Sequence, residues 1–369
     1  MIHKRCGCHK SPPSDWRGSV LARQARHPPR WQLDARPGAT IISPSRPKPA
    51  TYPKRGHRRL LWTLTLNAVV DHVYRAPASP ADTSVAEESC HVLSGKGLNV
   101  SRALACLGYL STPVILCGPD TLSMYRSELL RLGAAGRLVP GLSRTRQHAT
   151  VVSSADQQAF HVRECGAAAR PDTLRLLQRA LSDVRAGDVV ALCGSSAPGL
   201  PEGAVVRLLE AAADRGAAVW IDTSGAPLRR CLELRPQAVK VNAAELEAAI
   251  GRPIGSPDAA ATAVQEVLGM GVRLVCVTLG RTGLVLGTDR EVAFAPAPPL
   301  EAVSAVGSGD AALAALLAGA GDSDLAVADL AALAAAAGAA NALNLVPGSL
   351  DRSQFEILLA RVRPSVQFR

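Results

Sequence analysis

The 369-residue chain carries a formal charge of +10, is 47% hydrophobic and is only 3% aromatic. That length supports one large α/β domain or two smaller ones, with a core built from Ala, Leu and Val. The charge does not mark a nucleic-acid face on the folded body, because residues 1–59 hold 14 of the 41 Lys/Arg and two of the 31 Asp/Glu, leaving 27 against 29.

Residues 1–59 are rich in Pro, Arg and Ser and show neither helical nor strand periodicity, which predicts a disordered, dispensable extension. They contain no apolar h-region, so a secretory signal is not expected. A transit peptide, a nucleic-acid arm and an upstream extension from a misassigned start codon are the other readings of this stretch. Cys6-Gly-Cys8-His9 lacks a second ligand pair at finger spacing, so a metal cluster is not expected there. The nine cysteines are odd in number and sit mostly in apolar segments, a pattern of reduced, buried thiols in a cytoplasmic protein. No apolar run reaches membrane-spanning length; the Ala-rich stretch 325–345 is punctuated by Asp329, Gly338 and two asparagines. A soluble protein without a membrane partner is the expectation.

From residue 60 the texture changes. Residues 60–66 read as a first strand, ended by Asn67. Residues 73–93 hold short strand-like pieces broken by Pro77, Pro80 and Asp82. Residues 148–152 and 159–162 flank a polar turn at 153–158 and read as a hairpin. Further strands are expected over 114–117, 188–193, 218–222, 238–241, 274–279 and 284–286. Helices are expected over 99–107, 174–184, 202–215, 243–250 and 259–268, with another running from Ala311 to Gly319. Repeated β-α-β with short apolar strands argues for a parallel sheet covered on both faces, and the hairpin pieces for a small separate lid layer. Polar or Gly-rich turns follow several strands: Asn67 to Asp71, Gly194-Ser195-Ser196, Asp222 to Gly225, Asn242 to Glu245 and Thr278 to Gly280. Ligand sites in open α/β sheets lie beyond the carboxyl ends of strands, so these turns are expected to face one cleft.

Four segments carry chemistry. Ser94-Gly95-Lys96-Gly97-Leu98-Asn99 precedes a helix and reads as a flexible loop with an exposed lysine; the Walker A spacing is absent. In Lys240-Val241-Asn242-Ala243-Ala244-Glu245, Asn242 can cap a helix with Glu245 completing a capping box. The same pair, one turn apart, can instead order water around Mg²⁺ beside phosphates. Thr278-Leu279-Gly280-Arg281-Thr282-Gly283 reads as a hairpin turn or as the wall of a nucleotide pocket. Val306-Gly307-Ser308-Gly309-Asp310 opens an Ala/Leu helix, so Asp310 is either an N-terminal cap or a base beside anion-binding N–H groups.

Taken in chain order, these segments resemble the ribokinase-like carbohydrate kinase (PfkB) family over about residues 60–359. The matching residues are Thr65-Leu66-Asn67…Asp71, Gly95-Lys96-Gly97-Leu98-Asn99-Val100, Gly194-Ser195…Pro198-Gly199, Asp222-Thr223-Ser224-Gly225, Lys240-Val241-Asn242…Glu245, Thr278-Leu279-Gly280…Gly283 and Val306 to Asp310. The opening, the Gly-Lys-Gly helix and the Asp-Thr-Ser-Gly turn most resemble the branch of 1-phosphofructokinases and tagatose-6-phosphate kinases.

The resemblance implies a three-layer α/β/α fold with a mostly parallel central sheet and a β-sheet lid, from about 72–94 and 147–165, within a kinase domain spanning 60–369. It implies transfer of the γ-phosphoryl group of ATP to a phosphorylated ketose, with fructose 1-phosphate or tagatose 6-phosphate ahead of fructose 6-phosphate. Asp310 would be the base, and Gly307, Ser308 and Gly309 would form the anion hole. Asn242 and Glu245 would order Mg²⁺ through water, and Thr278, Gly280 and Gly283 would line the nucleotide site. Asp71, Gly95, Lys96, Gly97, Asn99 and Arg146 would hold the sugar phosphate. A homodimer through the lid sheet follows from the same likeness. The sequence departs from the family pattern at Ser94, Ala68, Val241, Ser308 and Gln147-His148. The alternatives are a kinase for a non-phosphorylated sugar or nucleoside, with Lys96 and Arg146 merely on the surface, and a weakly active phosphosugar-binding regulator.

Overall fold

A computed structural model describes residues 59–77, 83–155, 159–201, 203–320 and 325–368. The expected extension 1–59 therefore lies outside the described residues except for Arg59, as do Cys6, Cys8 and part of the 153–158 turn. The described residues belong to one compact unit, His57–Arg369.

The chain enters through β1 (Leu61–Thr65), and β2 (Val69–Ala76) and β3 (Glu88–Ser94) leave it as an antiparallel pair. Then come α1 (Lys96–Cys106), β4 (Thr112–Leu116), α2 (Leu122–Arg131) and β5 (Arg137–Val139). The hairpin β6 (Arg146–Ser153) and β7 (Ala159–Arg163) follows. Alternation resumes with α3 (Thr173–Ala180), β8 (Val189–Cys193), α4 (Ala204–Ala213), β9 (Ala218–Asp222), α5 (Gly225–Leu232) and β10 (Ala238–Asn242). It continues through α6 (Ala243–Ile250), α7 (Pro257–Gly269) and β11 (Leu274–Thr278), with β12 (Gly283–Thr288) and β13 (Glu291–Pro296) as a meander. Helices α8 (Ser308–Gly319), α9 (Val327–Ala342) and α10 (Arg352–Leu359) and the strand β14 (Ser365–Phe368) complete it.

Ten strands form one sheet in the order β14-β13-β12-β11-β10-β9-β8-β1-β4-β5. The seven from β5 to β11 are parallel, and the last three are antiparallel additions. A second sheet, β3-β2-β6-β7, is the expected lid. It starts at Val69, three residues earlier than its expected edge, so Asp71 is a lid residue.

The central strands are apolar on both faces because helices cover both. In β1, Trp62 and Leu64 enter the core shared with α3, α4, α5 and α7, while Leu61 enters the core shared with α1, α8 and α9. Asp188 satisfies the strand's entry, accepting Leu60 N at 2.9 Å and Trp62 Nε1 at 3.1 Å. With so few aromatics, the second core relies on close helix approach. A Cβ on Gly338 of α9 would lie 3.2 Å from Ser308 O, so the helix presses against the start of α8.

The sequence expectations miss α2, β5, α5, β13, α9, α10 and β14. Helix α1 begins at Lys96 rather than Asn99, so Lys96 is not on a flexible loop. Gly95 and Gly97 serve that early start. A Cβ on Gly95 would overlap Thr65, and one on Gly97 would sit 2.8 Å from Leu64 O, so both let α1 lie on the end of β1. The seven described cysteines are free; Cys117, Cys193, Cys231 and Cys276 are buried, but Cys165 is exposed. Among the described residues no helix is long and apolar enough to cross a membrane.

Candidate active site

Asp222, the last residue of β9, is fully buried and accepts two ammonium groups: Lys96 Nζ on Oδ1 and Lys240 Nζ on Oδ2, each at 2.9 Å. Two cations satisfy a buried carboxylate that would otherwise be expelled or protonated. Burial pushes the Asp222 pKa up, but Lys240 and Lys96 outweigh it and hold it below the usual aspartate value. Burial likewise opposes the charge on Lys96, and Asp222, Asp310 and Glu245 reverse that, so its pKa stands above an ordinary lysine. Lys240 is raised for the same reason, mainly by Asp222 against burial. Both lysines are thus cations. Lys96, read from sequence as an exposed side chain, is 35% exposed and also lies 3.5 Å from Glu245 Oε1. The sequence reading gave no role to Lys240 or Asp222. A lysine inside Ala-Val-Lys-Val, a strand otherwise fit for a core, was the available signal.

Asp310 is the third residue of α8 and is 5% exposed. Its Oδ2 accepts Asn99 Nδ2 at 2.8 Å. Burial raises its pKa to about 6; Asp222 adds to the rise, while Lys96, Lys240 and the Asn99 hydrogen bond oppose it. Gly307 precedes the helix at φ +85°, and a Cβ there would lie 2.7 Å from Gly348 N, so only glycine makes this turn. The Ser308 N–H donates to Ala305 O at 3.2 Å. Of the three residues expected to form the anion hole, Ser308 is the one whose N–H is engaged within the turn. The N–H groups of Gly307, Gly309 and Asp310 have no acceptor among the described residues and lie at the positive end of the helix. A Cβ on Gly309 would sit 2.8 Å from Lys240 Nζ, which brings that ammonium against the same turn.

Asn242 and Glu245 form the full capping box: Asn242 Oδ1 accepts Glu245 N at 2.8 Å, and Glu245 Oε2 accepts Asn242 N at 2.9 Å. Asn242 also borders a cavity of about 640 Å³, lined with it by Thr278, Gly280, Gly283, Ser308 and Gly309 and walled by Pro298, Pro299 and alanines of α9. A second cavity of about 350 Å³ adjoins it through Asn242, Thr278 and Gly280. Thr278–Gly283 is thus both the turn of the β11–β12 hairpin and a cavity wall. Among the described residues no group of three His, Cys, Asp or Glu is placed to hold a metal. One carboxylate and one amide do not cage Mg²⁺, but they suit an ion that keeps its waters and leans on phosphates.

Asp71 and Arg146 form a separate group on the lid. Asp71 is 6% exposed and accepts Thr150 Oγ1 at 3.0 and 3.2 Å. Arg146 Nη2 donates to Asn67 O at 3.0 Å. Arg146 Nε, Asn67 Oδ1 and His148 Nε2 are buried without a partner, an arrangement that suits a polar ligand at this junction. Asn99 belongs to the Asp310 group: besides that bond, its Oδ1 accepts Ser94 Oγ at 3.0 Å and Arg102 Nη1 at 3.2 Å. Arg102, another residue without an assigned role in the sequence reading, also pairs with Glu128 at 2.9 Å.

The pfkB family carbohydrate kinase pattern matches residues 64–348. A 1-phosphofructokinase from Rhodobacter capsulatus is 34% identical over 69% of this chain and 82% of its own length. An ATP-dependent 6-phosphofructokinase isozyme 2 from Escherichia coli is 32% identical over 60% of this chain and 72% of its own. The crystal structure of phosphofructokinase-2 from Escherichia coli in complex with substrates and products superposes with a TM-score of 0.75 at 26% identity, covering 82% of this chain and 99% of that one. A ribokinase from Thermotoga maritima, at 20% identity and TM-score 0.62, shares the fold.

Proposed function

Since the chain belongs to the pfkB family of carbohydrate kinases and is a phosphotransferase acting on a sugar hydroxyl, we propose that it moves the γ-phosphoryl group of ATP to a phosphorylated ketose. Fructose 1-phosphate is the first acceptor, with tagatose 6-phosphate and fructose 6-phosphate behind it. The observation that carries this reading is the buried Asp310 beside the open N–H groups of α8, with Lys96 and Lys240 close by. In this reading Asp310 takes the proton of the attacking hydroxyl; a base ionising near 6 is deprotonated at neutral pH without being inert. Negative charge developing on the transferred oxygens falls to the N–H groups of Gly307, Gly309 and Asp310 and to the lysines.

The cavity walled by Pro298, Pro299 and the α9 alanines takes the nucleobase, and Thr278, Gly280 and Gly283 border its phosphates. Asn242 and Glu245 would hold Mg²⁺ through water, and the ion would neutralise the phosphate oxygens. Asp71 holds sugar hydroxyls, and Arg146, with its unpartnered Nε, takes the substrate phosphate. Gly95 and Gly97 bring the Lys96–Asn99 turn to the acceptor.

Residues 60–369 form the kinase domain, and residues 1–59 are dispensable for it; deleting them leaves turnover unchanged. Phe160 and Val162, exposed on one face of the lid, support a homodimer through that sheet. A cytoplasmic location agrees with sugar-phosphate chemistry. An ATP-consumption screen over ketose phosphates, free sugars and nucleosides tests the assignment. Turnover of a ketose phosphate supports it; turnover of free sugars alone would remove Arg146 and Lys96 from phosphate binding.

A further inference from the structure

Helix α9 is almost wholly Ala and Leu, yet Asn341 lies near its end and is completely buried. Its amide is engaged on both sides. Nδ2 donates to Val306 O at 2.9 Å and to Ser308 Oγ at 3.3 Å, and Oδ1 accepts Gly348 N at 2.7 Å. The first two contacts hold the turn that opens α8; the third holds the 347–348 loop. From there the connections run back to the base. Pro347 O accepts Arg102 Nη1 at 2.6 Å, Arg102 Nη1 donates to Asn99 Oδ1 at 3.2 Å, and Asn99 Nδ2 donates to Asp310 Oδ2 at 2.8 Å. The series closes into a ring, because Asp310 follows the turn that Asn341 holds. The ring has little slack. A Cβ on Gly307 would lie 2.7 Å from Gly348 N and Pro347 Cα, and one on Gly348 would overlap Asn99 O.

We propose that Asn341 is a positioning residue for phosphoryl transfer: it fixes the α8 opening turn against the 347–348 loop and so sets the Asp310 carboxylate and the neighbouring N–H groups in register. The proposal rests on the kinase reading. A buried amide in an Ala/Leu helix costs stability unless every partner is met, and here the partners are the two segments that converge on Asp310. Alanine at this position would leave the part-buried Val306 O and the buried Gly348 N without their partner and release the turn. A displacement of the turn by a fraction of an ångström is felt in the transferring geometry rather than in ground-state affinity.

The test uses the full chain, with wild type beside Asn341→Ala, Asn341→Asp and Asn344→Ala. The Asn344 amide donates only within α9, to Ala340 O at 2.9 Å, and serves as the control. Two quantities are read: kcat and KM on the acceptor that wild type uses, and amide hydrogen exchange across residues 305–312. Asn341→Ala is expected to lower kcat about 10- to 100-fold, to leave both KM values within about threefold, and to speed exchange in that segment. Asn344→Ala changes neither. Asn341→Asp keeps the shape but presents a carboxylate to Val306 O; its kcat deficit against wild type should shrink as pH falls and the acid form donates again. That arm remains readable if the alanine variant does not fold. Unchanged exchange, or faster exchange with wild-type kcat, would overturn the Asn341 assignment while leaving the kinase reading intact. An inactive wild type would overturn the kinase reading, and the positioning proposal with it.

Discussion

Asn99 Nδ2 donates to Asp310 Oδ2 at 2.8 Å, joining the first helix of the domain to the helix that carries the proposed base. The bond fixes one carboxylate oxygen. The other has no hydrogen-bond partner among the described residues and is the one assigned to the acceptor hydroxyl. An amide rather than a cation in direct contact matters for the chemistry, because it orients the carboxylate while lowering its pKa less than Lys96 and Lys240 do.

The first prediction is a pH profile. With the Asp310 pKa raised from 3.8 to about 6 in the ligand-free protein, kcat/KM should rise about tenfold per pH unit below that value and level off above it. The sign for stability runs the other way. A carboxyl whose pKa is raised on folding favours the folded state below its unfolded value, and that contribution is lost as pH rises through about 6. Asp310→Asn should therefore stabilise the protein at pH 8 by on the order of 2–3 kcal/mol. Urea unfolding of the two proteins at pH 8 measures this; a less stable mutant would contradict the assigned burial penalty.

Asp222 behaves oppositely. Its pKa is held down in the folded protein by Lys240 and Lys96, so its contribution is present above the unfolded pKa and is lost as pH falls through the folded one. Asp222→Asn leaves two cations facing a neutral amide and should cost roughly 3–5 kcal/mol at pH 7, seen as a lower urea midpoint with an unchanged slope. A wild-type midpoint would mean that the lysines are satisfied elsewhere.

Much of this arrangement was legible in the sequence, for identifiable reasons. Strand β9 and helix α6 fall on their expected residues because apolar runs ended in a polar turn or a capping box. Asp310 and the two turns after β10 and β11 were visible as Gly-rich or Asn/Glu punctuation. Lys96 was misread because its partner, Asp222, lies 126 residues away, and local pattern carries no trace of that pairing. Helix α9 was weighed only as a membrane candidate, since an Ala-rich run shows little amphipathic contrast when it is buried nearly all round. The role of Asn341 depends on two loops that only the folded chain brings to it.

Asn242 has two roles that one pair of substitutions can separate. Asn242→Ser keeps a capping oxygen for Glu245 N, while Asn242→Ala removes it, so the alanine variant alone should lose about 1 kcal/mol. If Asn242 also orders Mg²⁺, both variants should need several-fold more Mg²⁺ for half-maximal rate. An unchanged Mg²⁺ requirement in both would reduce Asn242 to a cap.

Gly309→Ala places a methyl 2.8 Å from Lys240 Nζ, the far end of a flexible side chain. The fold should survive, but the ammonium must move from the anion site, so kcat should fall at least about tenfold with little change in ATP affinity. Equal kcat in this variant would remove Lys240 from transition-state stabilisation.

The most direct test of the account is the ATP-consumption screen on fructose 1-phosphate, tagatose 6-phosphate, fructose 6-phosphate, free sugars and nucleosides, run with wild type and Asp310→Asn side by side. The account predicts turnover of a ketose phosphate by wild type, lower by about a thousandfold or more in the mutant with KM little changed. Phosphosugar binding without turnover in wild type, or a mutant as active as wild type, would contradict it.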